Sequence, residues 1–338
     1  MPLSRKYIAI ALLTCLLTFS VAAPAQNKRG AQGKETNAAN LPAVLWREPT
    51  DITARNLLYG PGGEGGQPPK GRFTFIEEDL NGSNPKFYVE DERGERWAVK
   101  LGQEARPETV ATRLVWAVGY FADVDYYLPE LRVENMEKLK RGHQPVSADG
   151  TVRGARLKRH PKGQKQVGNW SWCDIPFVGT REMNGLKVIM ARINNWDLKE
   201  DNNKIYDERG TERRYVVSDL GASFGKTGDR FSRSKGDLAD YLGSKFIERV
   251  TPEAVDFFLH SRPPFFMRPD AHYYRERARI EQIVKQIPRA DARWIGSLLG
   301  QLSASQIGDA FRAGGYGPEE VKSFTLKVQE RIAEPNNL

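Results

Sequence analysis

Three short stretches carry residue types that could do chemistry together. In "NNWDLKEDNN" (194–203), Asp197 is followed two residues on by Lys199 and five on by Asn202. A carboxylate so placed can orient an attacking hydroxyl while the amide oxygen five residues later holds a divalent metal. In "VVSDLGASFG" (216–225), Asp219 can supply a second metal ligand from the end of a strand. The same stretch also spells G-x-S-x-G through Gly221, Ser223 and Gly225, the turn that presents a serine nucleophile. In "WAVK", Lys100 ends a run with strand character, and an ammonium there can reach phosphate oxygens.

These groups need elements to hold them. "RFTFIEED" (72–79), "KFYVED" (86–91) and "RWAVKLG" (96–102) are rich in β-branched and aromatic residues and are joined by the turn sequences "LNGSNP" and "ERGE", which predicts a three-stranded meander. Pro107 and Glu108 then suit the first turn of a helix in which Val110, Leu114 and Val118 recur on one face before Gly119 stops it. Glu108 can pair with Lys100 from that turn, although an acidic residue is also favoured there by the helix dipole. "YYLPELRVEN" (126–135) returns as extended chain, and residues 138–169 read as a polar, Gly- and Lys-rich stretch. "GLKVIMARINNW" (185–196) predicts a buried helix, and "NKIYD" and "RRYVVSD" a hairpin over 203–219. Five segments after Asp237, from "DLADYLGSKFIERV" to "GPEEVKSFTLKVQERI", carry helical periodicity, with Ser303 and Pro318 as start residues.

A small strand-rich lobe with one helix, followed by a larger helical lobe, with Lys100, Asp197, Asn202 and Asp219 in that order, resembles the protein-kinase-like superfamily from Gly71 to about Leu242. The resemblance implies an α+β, two-lobe fold with a β-rich nucleotide-binding lobe over 46–135 and a catalytic, mainly helical lobe over 136–338. It implies ATP and magnesium or manganese as cofactors. Lys100 would reach the phosphates, held by Glu108, and the turn with Asn81 and Gly82 would lie over them. Asp197 and Lys199 would be catalytic, and Asn202 and Asp219 would hold the metal. The chain departs from ordinary protein kinases: "NNW" stands where H-R would precede the aspartate, Leu220 replaces Phe, and "EDLNGSNP" has one glycine in place of a glycine-rich loop. It is more similar to atypical branches such as HipA-like, phosphatidylinositol and secreted-pathway kinases, and to exported bacterial proteins carrying the same "WDLK" and "DLGASFG" strings. The adenine hinge is expected after "ELRV".

The hydrolase reading requires the G-x-S-x-G turn to run straight into a helix, but "KTGDRFSRSKGD" follows, with His260 and His272 the available bases. Gly221 and Gly225 are expected instead to let the backbone bend after Asp219. "GPGGEGG" (60–66) continues into "QPPKG" and not into a helix, so it reads as a loop.

Composition sets the remaining bounds. The chain has 338 residues, 39% apolar and 28% charged, as a soluble globular protein does. Arg5 and Lys6, an apolar run from Tyr7 to Val21 and Ala23-Pro24-Ala25 have the plan of a secretory signal peptide over 1–25, so export to the periplasm or beyond is expected, with no membrane span after cleavage. Residues 26–45 are expected to form a disordered tether. Cleavage would remove two cations and bring the net charge from +8 to about +6. That excess is mild, and the basic stretch 153–165 reads as a solvated face or loop, so nucleic acid is not an expected partner. Cys173 alone remains after cleavage, which excludes an internal disulfide and a cysteine-rich metal site. A monomer is expected, acting on a protein, lipid, sugar or small-molecule hydroxyl. The alternative is a pseudokinase that serves as a nucleotide-binding or interaction module.

Overall fold

The computed structural model describes residues 41–63, 69–81, 84–141, 145–159, 164–227, 233–263 and 270–337. The expected signal peptide, most of the tether and Gly82 lie outside the described residues.

In chain order the strands and helices are β1 (Ala43–Val44), β2 (Phe73–Asp79), β3 (Lys86–Asp91), β4 (Arg96–Lys100), α1 (Ala105–Ala117), β5 (Asp125–Glu134), β6 (Thr151–Arg159), β7 (Gln164–Asn169), α2 (Arg181–Arg192), β8 (Asn203–Glu208), β9 (Glu212–Val217), α3 (Leu238–Leu242), β10 (Ile247–Val250), β11 (Ala254–Phe257), α4 (Ala271–Gln282), β12 (Ile287–Pro288), α5 (Arg289–Leu299), α6 (Ala304–Ala313) and α7 (Pro318–Ala333). The first five long strands close into a barrel in the order β2-β3-β4-β6-β5, sealed where Phe73 and Thr74 run parallel to Val133 and Glu134. Alternation along the strands decides what fills it. Phe87 and Val89 on β3, Trp97 and Val99 on β4 and Ala155 and Leu157 on β6 form one core with Phe73, Leu131 and Val133.

A second, larger core gathers α1, α2 and the helices from α4 onward around Val110, Leu114, Leu186, Ile189, Phe224, Phe311 and Phe324. α1 thus carries its apolar face into the larger core while its first turn lies beside the barrel. The fold is α+β and two-lobed, a small β lobe with one helix set on a larger, mainly helical lobe. The helix starts follow ordinary capping chemistry. Thr180 accepts from the Met183 N–H ahead of α2, Ser303 and Gln306 form a capping box on α6, and Pro318 opens α7.

Several expectations need correction. The fold begins before residue 46: Ala43 and Val44 pair with Arg213 and Arg214 of β9, and Leu45 is buried with Ile52 and Leu57 in the larger core and not in the barrel. The boundary at 135 cuts the barrel, because β6 lies between β4 and β5 and completes it. Within the basic stretch 153–165, residues 153–159 are therefore strand β6, and 164–165 open β7. "ELRV" leads back into the barrel, and the chain leaves it only after Arg159. "DLADYLGSKFIERV" is not one helix; it breaks at Gly243 and continues as β10, paired with β11. Among the described residues no helix is long and apolar enough to cross a membrane.

Candidate active site

Lys100 closes β4, opposite Arg156 in the β4–β6 ladder. Since Trp97 and Val99 point into the barrel, Lys100 points out of it, toward the first turn of α1. Its Nζ donates to Glu108 Oε2 at 2.8 Å, to Glu104 Oε2 at 3.1 Å and to Asp219 Oδ1 at 2.5 Å. Lys100, Glu104 and Glu108 are buried, while the Asp219 side chain is half exposed. Burial opposes the charge on Lys100, but the carboxylates of Glu108, Asp219 and Glu104 outweigh it and raise the lysine's pKa. The same pairing holds Asp219 well below the usual carboxylate range against the opposing effect of burial. Glu104 is likewise lowered, by Lys100 and by Lys235, whose ammonium bonds its other oxygen.

Asp197 and Asn202 come together in the loop after α2. The Asn202 amide donates to the Asp197 carbonyl at 2.7 Å, and Lys199 Nζ lies 3.3 Å from Asp197 Oδ1. Arg277 of α4 donates from one nitrogen to Asp197 Oδ1 at 3.0 Å and to the Trp196 carbonyl at 3.2 Å. Asn203 and Val217 are the first paired residues of the β8–β9 hairpin, so Asn202 and Asp219 leave it at the same end. Backbone bonds join the two loops: Trp196 N–H to the Ala222 carbonyl at 3.2 Å and Phe224 N–H to the Ile193 carbonyl at 2.7 Å. The Asn194 amide adds a bond to the Gly225 carbonyl. The loop that carries Asp197 is thus anchored to the one that carries Asp219.

The bend after Asp219 is not made by glycine. Asp219 and Phe224 themselves adopt φ of +53°, the left-handed region, whereas Gly221 and Gly225 do not. Gly221 is needed for close approach, since a Cβ there would lie 2.5 Å from the Glu104 side chain. At Gly225 it would meet the Ser234 carbonyl at 2.2 Å. Ser223 is fully buried and its hydroxyl has no hydrogen-bond partner, which removes the serine-nucleophile reading: an attacking hydroxyl must be accessible and bonded to its base. Of the two histidines, His260 bonds the Lys245 carbonyl at 3.1 Å and His272 is exposed.

Asn81 lies in the β2–β3 turn, its N–H on Asp79. That turn is at Lys100's end of the barrel, since Lys86 pairs with Lys100 and the Leu101 N–H reaches the Pro85 carbonyl. The residues that sequence reasoning missed are Glu104, Arg156, Lys235 and Arg277. Glu104 had a local signal, one helical turn before Glu108. Arg156 had one in the alternation of "ARLKR", where Ala155 and Leu157 face inward. Arg277 had none, because it arrives from 80 residues away.

The donor set fits the divalent metal that the motifs imply. Asp219 and Asn202 offer hard oxygens at one end of a hairpin, the ligand type magnesium and manganese take. Oxygens of Glu104, Glu108 and Asp219 lie within 4.8 Å of one another, but Lys100 is bonded to all three, so this cluster holds the lysine and not an ion. A separate cavity of about 620 Å³ borders Lys158, Tyr206, Trp116 and Phe121 and includes none of the residues above.

No protein-family model matches the chain, and no curated protein matches it in sequence. Among solved structures it is similar to the Helicobacter pylori proinflammatory kinase CtkA, with a TM-score of 0.47 and 11% identity over 80% of this chain and 97% of that one. It is also similar to a Golgi casein kinase, with a TM-score of 0.33 and 10% identity over 78% of this chain and 74% of that one. The chain itself sets a strand-end lysine bonded to a helix glutamate and to the aspartate after a hairpin, with an Asp-x-x-x-x-Asn loop tied to that aspartate's loop, on an α+β, two-lobe fold.

Proposed function

We propose that the protein is an exported, ATP-dependent phosphotransferase that uses a divalent metal to transfer phosphate to a hydroxyl acceptor. The observation that carries this reading is Lys100 held between Glu108 and Asp219. A cation fixed on a strand end by a helix carboxylate is placed to bind phosphate oxygens, beside the carboxylate that would take the metal. When bound, the metal neutralises charge on the phosphates and aligns them for in-line attack. Asp219 and Asn202 would hold it. Asp197, its carboxylate fixed by Arg277, would orient the acceptor hydroxyl, and Lys199 beside it would offset negative charge on the phosphoryl group in flight. The acceptor oxygen gains the phosphoryl group, its proton is released, and ADP leaves. Export rests on the signal-peptide plan of residues 1–25.

One observation favours a second reading, a pseudokinase that binds nucleotide or a partner without turnover: Asp219 is already engaged by Lys100 and Asp197 by two cations. Purified protein titrated with ATP, with and without magnesium or manganese, and then incubated with labelled ATP and protein, lipid and sugar acceptors decides between them. Metal-dependent binding with transfer supports the enzyme. Binding without transfer to any acceptor supports the pseudokinase, and absence of binding removes the enzyme and leaves of the second reading only a partner-binding module.

A further inference from the structure

We propose that Arg156 is a positioning residue of the phosphate site, a second cation on Glu108 that keeps this carboxylate, and α1 with it, in place when Lys100 turns to phosphate. The inference rests on the phosphotransferase reading above. Glu108 divides its oxygens between two cations: Oε2 accepts from Lys100 at 2.8 Å and Oε1 from Arg156 Nη2 at 3.1 Å. Lys100 and Arg156 face each other across the β4–β6 ladder and reach Glu108 from the same side of the sheet.

Glu108 is 1% exposed, and a carboxylate so buried is costly without a cation beside it. Lys100 alone cannot guarantee that cation. Its three N–H donors already serve Glu108, Glu104 and Asp219, and phosphate oxygens would draw on the same three. Arg156 has a planar fork of donors and a second counter-charge of its own. Its Nη1, which makes no hydrogen bond, lies 3.6 Å from Asp125 Oδ1 on β5, and neither Asp125 oxygen has a hydrogen-bond partner. Arg156 is therefore held from one side by Asp125 while it holds Glu108 on the other. Glu108 stays put whichever groups Lys100 serves.

The test is calorimetric titration of ATP and magnesium into the purified protein, at a temperature where circular dichroism shows each variant folded. Arg156→Met is expected to weaken ATP binding by about tenfold or more, and Arg156→Lys to recover part of it, since an ammonium can still reach Glu108. Should Arg156→Met not fold, Arg156→Met with Asp125→Asn removes the cation together with its second counter-charge and carries the same expectation. A role in stability alone would lower the unfolding midpoint and leave the affinity of the folded protein within about twofold of wild type. That outcome overturns the proposal and leaves the phosphotransferase reading standing. Wild-type protein that binds no ATP overturns both.

Discussion

Arg277 reaches Asp197 from a helix 80 residues downstream, and one guanidinium nitrogen bonds both the Asp197 carboxylate and the Trp196 carbonyl. Through this residue the helical tail takes part in the candidate active site. Arg277 is buried, with its guanidinium 5.2 Å from the Tyr273 ring and 5.9 Å from the Trp196 ring, so its position is set by packing as well as by charge.

Replacing Arg277 by Met should therefore loosen Asp197 without touching the phosphate and metal groups. Phosphoryl transfer is expected to fall by about tenfold or more while ATP affinity stays within about twofold. Steady-state kinetics beside calorimetric binding would show it, and a parallel loss of affinity would mean that Arg277 supports the fold in general.

Asp219→Asn should abolish metal-dependent ATP binding and leave the fold intact. The side chain is half exposed, and Asn tolerates the left-handed backbone at that position. Titrating ATP with and without magnesium checks this, and equal affinities for variant and parent would remove Asp219 from the metal site.

Asp197→Ala and Ser223→Ala should behave in opposite ways. The first removes the group that orients the acceptor and should cut transfer by about a hundredfold with little change in binding. The second deletes a buried hydroxyl that bonds nothing, so activity should hold within a few fold and the urea midpoint should stay level or rise. A thousandfold loss in Ser223→Ala would revive a nucleophilic serine.

Asp125 gives stability a pH dependence whose sign can be worked out. Burial pushes its pKa up to about 7, with Glu108 and Asp123 adding to the effect and Arg156 and Lys158 opposing it; Arg113 of α1 also lies close, bonded to the Asp125 carbonyl. Between the ordinary carboxylate range and about pH 7 the folded protein keeps a proton that the unfolded chain has lost, so this group's contribution falls as pH rises through that window and levels above it. Glu104 and Asp219, both lowered, act oppositely, and their contributions are lost as pH falls below the ordinary carboxylate range. Urea midpoints at pH 5, 6, 7 and 8 should show the decline in wild type and its absence in Asp125→Asn. Parallel profiles for the two proteins would contradict the assignment.

Most of the site was legible because its spacing is local. "WAVK", Asp197 with Asn202, and Asp219 after a hairpin are read from a few residues each, and the strand patterns around them follow a period of two. β6 was hidden by its charge. Arg153, Arg156, Lys158 and Arg159 made it resemble a solvated loop, yet Arg156 is buried against Glu108 and Lys158 is half-buried on Asp123, and only the tertiary fold supplies those partners. β10 was mistaken for helix because its short alternating run follows a true helical turn. The roles of Gly221 and Gly225 were misplaced because close approach to Glu104 and Ser234 leaves no mark in the local sequence.

The two separate cores have a bearing on motion. α1 carries its apolar face into the larger core, whereas Lys100 ends a strand of the barrel, which has a core of its own, so the Lys100–Glu108 bond ties the two cores together. Amide exchange should divide by core. The β2–β6 amides would lose protection as one group while those of α1 remain with α2 and α6, and each opening of the barrel would part the lysine from its glutamate. The lifetime of the assembled phosphate site would then be limited by fluctuations of the small lobe and not by any movement of the helix.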